Sequence, residues 1–396
     1  MMLFRSGLTG LFSIAIAANL LHVYGGVYGF ALLNGDWSAS RGFGNTYRRG
    51  SLRQKRTLKA INKDSHKKAP VNQGVETSTS RLSMPTENTQ RTNVQKQKHV
   101  LVTGANRGIG YAICRRLLEE NSDVIVWLGS RNLSKGKVAG EYLIRSLIRR
   151  VNATDWAAVS QQKERLFVVQ IDVTSNRSIR NAVRRIQKQT DSLYGVVNNA
   201  GIKLPNNYKK SIEVNYFGPR RVNDAFRPMI QTPGGRIVNL ASEFSGPNFV
   251  NNCQDRNLKQ KLAEPWTIRG GVKELDLLAR DPKHCIENGG DAYGFSKAMV
   301  CAYTYLLAQE QQFPNDLIVN SVSPGFIDTE MTKGQGATDQ PSTGAIAPTW
   351  LLMSKDLETI PSGRFYGGDC KRSPLHYYRY PGSPPYEGLD GPQVLE

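Results

Sequence analysis

Residues 99–110 read HVLVTGANRGIG, a short apolar run followed by a glycine-rich turn. Residues 111–121 then place apolar side chains at helical spacing, so the pattern predicts a strand, a turn and a helix. Gly104, Gly108 and Gly110 allow a tight turn and a close approach of the backbone to a pyrophosphate, and the start of the helix offers free N–H groups to that anion. The stretch therefore predicts a dinucleotide-binding unit, although a glycine-rich turn alone is weak evidence for a cofactor.

Further apolar runs follow along the chain, and segments with helical periodicity separate them. These runs are DVIVWLG (123–129), RLFVVQIDV (165–173), YGVVNNAG (194–201), GRIVNLAS (235–242), LIVNSVSPG (317–325) and, as a candidate seventh strand, GRFYGG (363–368). Short strands that alternate with helices predict right-handed crossovers and a parallel sheet covered on both faces. We therefore expect an α/β fold with a doubly wound parallel sheet (Rossmann-like) in a single catalytic domain, with ligands bound beyond the carboxyl ends of the strands.

The choice of nicotinamide depends on the end of the second strand. A site for NAD usually places an acid there to bind the ribose 2′-hydroxyl, but this chain has Gly129, Ser130 and Arg131. Arg131 and Arg107, which lies inside the glycine turn, suit a 2′-phosphate by charge and bidentate geometry, and predict NADPH. The alternative is that both arginines are solvated surface charges. Asp172 could accept a bond from the adenine amino group, or it could be a turn or cap residue.

Tyr293 and Lys297 are four residues apart and share one face of a predicted helix. An ammonium near a phenol lowers the pKa of the phenol, which could then act as a general acid towards a carbonyl oxygen. Ser242 ends the fifth strand, where its hydroxyl could bind the oxygen as it gains charge, unless it is an ordinary loop serine. Asn215, in the middle of a predicted helix, could hold a water that leads to Lys297, or make a structural contact.

Six motifs, TGANRGIG, NNAG, VNYFG, IVNLAS, YGFSK and SPGFIDT, occur in the order and spacing typical of one family. Over about 280 residues the chain resembles the short-chain dehydrogenases/reductases. The resemblance implies a catalytic set of Asn215, Ser242, Tyr293 and Lys297, in which the lysine also binds the nicotinamide ribose. It implies that Asn198 lines the adenosine ribose, that Pro324 and Gly325 face the nicotinamide, and that Ile327 and Thr329 hold its carboxamide or the phosphates. The cofactor-binding set becomes Gly104, Asn106, Arg107, Gly108, Ile109, Gly110, Arg131, Asp172, Val173, Asn198, Ala200, Tyr293, Lys297, Pro324, Gly325, Ile327 and Thr329.

One departure from the usual family pattern narrows the subgroup. Ser242 and Tyr293 are 51 residues apart, and residues 246–290 contain two stretches, LKQKLAEPW and VKELDLLARD, that predict short helices. Such an insert resembles the carbonyl-reductase-like branch, which implies a monomer because the insert covers a surface that other members use to oligomerise. Trp266 in the insert is a candidate for substrate contact, or it packs within the insert.

The predicted function is NADPH-dependent reduction of an aldehyde or ketone to an alcohol. A different class of function, an NADPH-binding sensor or scaffold without turnover, stays open as the alternative. Five cysteines occur and none has a metal-ligand spacing, so we expect no metal site. We also expect no specific partner among nucleic acids, because the basic residues 50–98 lack the interleaved aromatic side chains that stack on bases.

The predicted catalytic domain covers residues 97–375, and the flanking segments differ from it in composition. Residues 1–34 hold an apolar stretch that predicts a signal peptide or a signal anchor able to insert in a membrane. Residues 35–96 are basic and hydroxylated, as in a disordered linker or a transit peptide. We therefore expect an N-terminally targeted protein, anchored in a membrane or sent to an organelle by a plastid-like two-part leader. Residues 376–396 are rich in Tyr, Pro and Gly and predict a tail without a regular fold.

Overall fold

Seven parallel strands form the centre of the molecule. A computed structural model describes residues 97–151, 155–310, 317–355, 360–388 and 391. The strands are β1 (Lys98–Val102), β2 (Val124–Ser130), β3 (Leu166–Gln170), β4 (Gly195–Asn198), β5 (Gly235–Leu240), β6 (Leu317–Val322) and β7 (Phe365–Tyr366). Their order in the sheet is β3-β2-β1-β4-β5-β6-β7, so the strand order reverses between β1 and β4. Doubly wound sheets bind ligands at such a reversal.

Both faces of the sheet are buried, which explains why its strands are continuous apolar runs. Successive side chains of a strand point to opposite faces, and β1 shows the consequence. Leu101 belongs to the core on one face, whereas Val100 and Val102 belong to the core on the other. Trp127 of β2 is fully buried and stacks on Phe167 of β3 with 4.7 Å between ring centroids. The predicted doubly wound fold is confirmed.

Thirteen α-helices are present in the described part of the chain. They are α1 (Gly108–Glu120), α2 (Leu133–Arg150), α3 (Trp156–Glu164), α4 (Asn176–Gln187), α5 (Tyr208–Asn215), α6 (Phe217–Phe226), α7 (Ser245–Asn252), α8 (Arg256–Ala263), α9 (Gly271–Arg280), α10 (Lys283–Ile286), α11 (Ala292–Gln309), α12 (Pro341–Gly344) and α13 (Ile346–Met353). Short 3₁₀ turns occupy Arg227–Met229 and Pro265–Thr267. The predicted insert consists of helices, as expected, and α7, α8 and α9 pack on α11.

The predicted helix that was expected to hold Asn215 in its middle is broken into two. Helix α5 ends at Asn215 and α6 begins at Phe217. Pro219 explains the break, because a proline ring inside a helix clashes with the carbonyl four residues earlier, which here belongs to Asn215. Asn215 therefore ends a helix instead of lying in the middle of one.

The flanking segments have different outcomes. The interpretations of residues 1–34 and 35–96 lie outside the described residues and stay predictions. Among the helices that the structure describes, none combines the length and the apolar character needed to cross a bilayer. In the tail, residues 376–388 form no helix or strand, yet Arg379 is buried there and bonded on several sides. This polar anchor gives the described part of the tail a defined path, which its composition did not predict.

Candidate active site

The glycine turn between β1 and α1 is tightly packed against the end of β4. Gly104 has φ +65°, and a Cβ atom built on it would lie 2.8 Å from the Cα of Ala200. A Cβ on Gly110 would lie 2.3 Å from Nδ2 of Asn199 and 2.8 Å from the carbonyl oxygen of Gly104. Both positions therefore require glycine, one for its backbone conformation and one for space.

Asn199 is the residue that braces this turn, and the sequence interpretation did not select it. Its Nδ2 donates hydrogen bonds to the carbonyl oxygens of Thr103, at 2.9 Å, and Gly104, at 3.1 Å. The backbone N–H groups of Asn199 and Ala200 both donate to the hydroxyl of Thr103. These bonds join the ends of β1 and β4 at the reversal of strand order. Its position as the second Asn of NNAG was the signal that could have identified it.

A cleft of about 750 Å³ opens beside the turn, between the starts of α1 and α2. Its lining includes Asn106, Arg107 and Gly108 from the turn and Ser134 and Lys135 from α2. Helix α1 has no side-chain cap at its start, so its first N–H groups can bind an anion. The crowded glycines, the uncapped helix start and the cations together fit the pyrophosphate and a further phosphate of a dinucleotide.

Three predicted cofactor residues lie outside the cleft or are already engaged in other contacts. Arg131 is exposed after β2 but does not line the cleft, where Lys135 takes part instead. One carboxylate oxygen of Asp172 accepts bonds from the N–H and the hydroxyl of Thr174, as in a turn residue. Val173 is buried, and its Cγ2 packs against Gly218 of α6. The side chains of Asp172 and Val173 are thus engaged in contacts of the loop after β3.

Asn198 is a further predicted cofactor residue and lies at the end of β4. Its side chain points into the interior, where Nδ2 donates to Oδ1 of Asn223, at 2.7 Å, and Oδ1 of Asn239, at 2.8 Å. A strand alternates its side chains between faces, so adjacent asparagines at the end of β4 have opposite surroundings. Asn198 supports a buried amide cluster, and its neighbour Asn199 faces the glycine turn.

Asn215 and Lys297 face the same point, next to Gly201. A Cβ on Gly201 would lie 3.3 Å from Oδ1 of Asn215 and 3.8 Å from Nζ of Lys297. Nδ2 of Asn215 donates to Oγ of Ser296, at 3.0 Å, and its amide also exchanges two bonds with the backbone of Ile202. Nζ of Lys297 donates to the carbonyl oxygen of Leu240, at 2.8 Å. The absent side chain of Gly201 leaves a polar corner between the two groups.

Ser242 is brought to the start of α11 by close packing of two helices. Oγ of Ser242 accepts a bond from the N–H of Ser245, at 3.1 Å. The carbonyl oxygen of Ser245 would lie 2.7 Å from a Cβ on Gly294, and a Cβ on Gly246 would lie 3.3 Å from the backbone of Lys297. Glycines thus allow α7, which begins three residues after Ser242, to pack closely on the part of α11 that carries Tyr293 and Lys297.

Electrostatics at Tyr293 differ from the sequence prediction. Burial, reinforced by the charge of Asp291, raises the pKa of the half-buried Tyr293 phenol above its ordinary value. The ammonium of Lys297 lies 5.6 Å from the ring centroid of Tyr293, and burial lowers the pKa of Lys297 to about 8. Desolvation outweighs the attraction between the two groups in this arrangement. Burial therefore favours the neutral form of each group, the protonated phenol and the uncharged amine.

The loop after β6 closes over the glycine turn. Thr329 places its Cγ2 3.5 Å from a Cβ built on Gly108, and Ile327 is buried against Gly344 of α12, which also faces Ile109. Gly325 has φ +90° and lies directly after Pro324. The structure thus brings the predicted residues Pro324, Gly325, Ile327 and Thr329 to the same edge as the turn.

Trp266 packs within the insert and on α11. Its ring lies 5.8 Å from that of Tyr305, which is twelve residues beyond Tyr293 on the same helix. At 1.5 Å per residue this is roughly 18 Å along the axis. The packing alternative is therefore the one that the structure supports, and Trp266 does not lie beside Tyr293.

Comparisons with known proteins agree with this geometry. A family model described as short chain dehydrogenase matches residues 98–253. The chain is 32% identical over 282 residues to carbonyl reductase 1 of Mus musculus, whose name specifies NADPH, covering 67% of this chain and 94% of that protein. It is 30% identical over 302 residues to (+)-neomenthol dehydrogenase of Arabidopsis thaliana, covering 68% of this chain and 95% of that protein.

Two solved structures share the fold. Menthone neomenthol reductase from Mentha piperita matches with a TM-score of 0.55 at 24% identity, over 69% of this chain and 99% of that one. Salutaridine reductase from Papaver somniferum matches with a TM-score of 0.55 at 24% identity, over 68% of this chain and 99% of that one.

Proposed function

Because the chain belongs to the short-chain dehydrogenase family and is an oxidoreductase acting on carbonyl or alcohol groups, we propose that it reduces an aldehyde or ketone with NADPH. The observation that carries the proposal is the close packing of α7, the helix that follows Ser242, on α11, the helix that carries Tyr293 and Lys297. A proton donor and an anion-binding turn are the two parts that such a reduction requires.

The proposal of NADPH rests on positive charge beside the turn. Arg107 and Lys135 line the cleft where α1 and α2 begin, and Arg131 follows β2 without an acid at that position. A carboxylate there would repel a 2′-phosphate, whereas guanidinium and ammonium groups bind it. The curated relative whose name specifies NADPH supports the same choice.

Different residues of the protein donate a proton to the carbonyl group, hydrogen-bond its oxygen and supply positive charge near it. A nicotinamide cofactor, when bound, supplies the hydride. Tyr293 donates its proton to the carbonyl oxygen, and the raised pKa of its phenol keeps that proton in place until the oxygen gains charge. The hydroxyl of Ser242 hydrogen-bonds the same oxygen. Lys297 contributes its positive charge near the phenol. Asn215 lines the polar corner beside Gly201, through which a proton can return to Tyr293 by way of Lys297.

The test is NADPH oxidation by the purified full chain with a panel of aldehydes and ketones. We expect Tyr293→Phe to lower kcat/KM by about a thousandfold, within the range for loss of a general acid, and to leave the Kd for NADPH within about threefold, since it loses only one hydroxyl. Binding of NADPH without turnover of any carbonyl compound would support a sensor instead. Equal rates for wild type and Tyr293→Phe would exclude Tyr293 as the acid.

The coenzyme choice has its own test. Arg107→Ala and Lys135→Ala should each reduce the preference for NADPH over NADH by roughly tenfold or more, the effect of one lost charge-assisted bond. Lys188→Ala, an exposed cation at the end of α4, is the matched control and should leave the preference unchanged. Unchanged preference in both cleft variants, or equal use of NADH by the wild type, would contradict the assignment.

A further inference from the structure

The chain reverses direction immediately after β7 and returns along the edge of the site. The N–H of Gly367 donates to the carbonyl oxygen of Lys371, at 2.8 Å, and the N–H of Ser373 donates to that of Phe365, at 2.8 Å. Cys370 adopts φ +61°, the left-handed conformation that closes the turn. Residues 374–388, which follow this turn, form no helix or strand.

Arg379 fixes this returning segment. It is only 5% exposed. Its Nε donates to the hydroxyl of Ser373, at 3.1 Å, and its Nη1 donates to the carbonyl oxygen of Ser383, at 2.9 Å. An ion pair with Asp369 completes its surroundings. A guanidinium with bonds in several directions has a defined position, so the tyrosines on either side of it, Tyr378 and Tyr380, are held as well.

The same turn is joined to the strand that ends at the catalytic serine. Glu243, the residue after Ser242, is buried and accepts a bond from the N–H of Gly368, at 3.3 Å. A Cβ on Gly367 would lie 2.6 Å from the carboxylate of Glu243 and 2.8 Å from Nη2 of Arg379. The turn therefore brings Arg379, which fixes the tail, close to the residues that follow β5.

The turn also touches the loop after β6. A Cβ on Gly368 would lie 3.2 Å from the backbone nitrogen of Gly325 and 3.3 Å from the carbonyl of Pro324. Both neighbours of the catalytic edge, the end of β5 and the loop after β6, are thus in contact with the segment that carries Tyr378 and Tyr380.

Three aromatic rings form a row that starts two residues from Ser242. Phe244 is 59% exposed, and its ring meets that of Tyr378 edge to face with 5.5 Å between centroids. Tyr378 meets Tyr380 at 4.8 Å, and Tyr380 is 71% exposed. Exposed rings held by a rigid backbone can bind a flat apolar group at a small cost in conformational entropy.

We propose that Phe244, Tyr378 and Tyr380, positioned by Arg379, form a recognition surface that selects carbonyl compounds carrying a flat aromatic ring system. This proposal rests on the proposed carbonyl reduction, and it assigns substrate selection to the C-terminal segment. A short aliphatic carbonyl compound has no ring system for the row to contact, and the ring of Tyr380 lies at the far end of the row from Phe244. Removal of an outer ring therefore affects the large aromatic substrates alone.

The experiment compares a bicyclic aromatic ketone with a short aliphatic aldehyde, using the full chain and NADPH. Tyr380→Ala should raise the KM for the ketone by about tenfold, the loss of one ring contact and its buried area, and leave kcat/KM for the aldehyde within about twofold. Tyr380→Phe keeps the ring and should retain the wild-type selectivity. Tyr377→Ala, on the same segment but packed on His376 and Tyr386, is the matched control and should change neither substrate.

Failure of this proposal is distinguishable from failure of the proposed reduction. Turnover of the aldehyde by the wild type establishes the reduction, and an unchanged ratio between the two substrates in both Tyr380→Ala and Phe244→Ala then overturns the recognition surface. If the wild type reduces neither compound, the Kd for the ketone is measured by tyrosine and tryptophan fluorescence in the presence of NADPH. A Kd that is the same in the wild type and in Tyr380→Ala overturns the proposal, and an increase of about tenfold in the variant supports it.

Discussion

The two halves of the proposed active-site edge are built over very different distances in sequence. The cofactor half consists of the glycine turn, residues 104–110, and Asn199 with Ala200, which lie in two short motifs on adjacent strands. The substrate half consists of residues 242–244, the start of α11, Gly325 and the segment 367–380. The first half is held by backbone geometry and by two hydrogen bonds from the Asn199 side chain. The second half is held by contacts between segments that are distant in sequence.

The difference implies that a substitution in one half can change cofactor binding without changing catalysis, and the reverse. A change in the cofactor half disturbs a rigid turn and should weaken binding of NADPH. A change in the substrate half should alter catalysis, pH dependence or stability while the Kd for NADPH stays the same. Each prediction below tests this division at one position.

The largest effect is expected at Gly110. A methyl group there would overlap Nδ2 of Asn199 and the carbonyl of Gly104, so the amide that braces the turn must leave its two acceptors. Unsatisfied polar groups cost about 1–3 kcal/mol each, and we expect Gly110→Ala to raise the Kd for NADPH more than a hundredfold by equilibrium titration.

Gly234→Ala provides the control for that substitution. Gly234 has a positive φ, +90°, unlike Gly110, but nothing lies within 4 Å of its Cβ position. It should therefore lower the free energy of unfolding by about 1–2 kcal/mol through backbone strain without changing the Kd for NADPH. An equal loss of NADPH affinity in both variants would show that the cofactor half is not an independent unit.

The contrast between the halves also explains what the sequence could predict. The strands, the glycine turn and the order of the motifs are local patterns, so the fold and the edge that holds the site were predictable. Asn198 was named as a cofactor residue and Asn199 was not, because the sequence does not show which face of β4 each side chain takes. That alternation is simple, but knowing which face carries the cofactor required the position of the turn relative to β4.

The substrate half was less predictable because its contacts join distant residues. Nothing in the sequence around Glu243 indicates that its carboxylate meets the N–H of Gly368, and the composition of the tail did not predict a buried arginine. Trp266 was a candidate because it is a large aromatic side chain in the insert, yet it packs on Tyr305 of α11, far along the helix from Tyr293. Tyr293 and Lys297 could be identified, but the pKa of each depends on burial that only the packing of the insert supplies.

The next largest effect concerns pH and Lys297. Because burial lowers the pKa of Lys297 to about 8, its charge should be lost as the pH rises through that value. We expect kcat/KM to fall by about tenfold for each pH unit above it. The other titratable groups near the ammonium, Tyr293 and Cys301, have pKa values raised by burial, so the descending limb belongs to the lysine.

Lys297→Arg sharpens this assignment. A guanidinium stays charged throughout the accessible range, so the variant should be slower at pH 7 but should lose the alkaline decline near pH 8. A decline at the same pH in the variant would assign it to another group. The Kd for NADPH at pH 9, measured for both proteins, separates loss of cofactor anchoring from loss of proton transfer.

The smallest effect is expected at Glu243, on stability. Burial raises the pKa of Glu243 to about 6 from 4.5, so the unfolded chain ionises first as the pH rises. The free energy of unfolding should therefore fall by about 2 kcal/mol between pH 4.5 and 6 and stay lower above that range. Glu243→Gln keeps the shape and the acceptor for Gly368 but carries no charge, so thermal unfolding should show the variant more stable than wild type at pH 7 and equal to it at pH 4. A variant less stable at pH 7 would mean that attraction to Arg379 outweighs the cost of burying the carboxylate, and that the substrate half is held by charge.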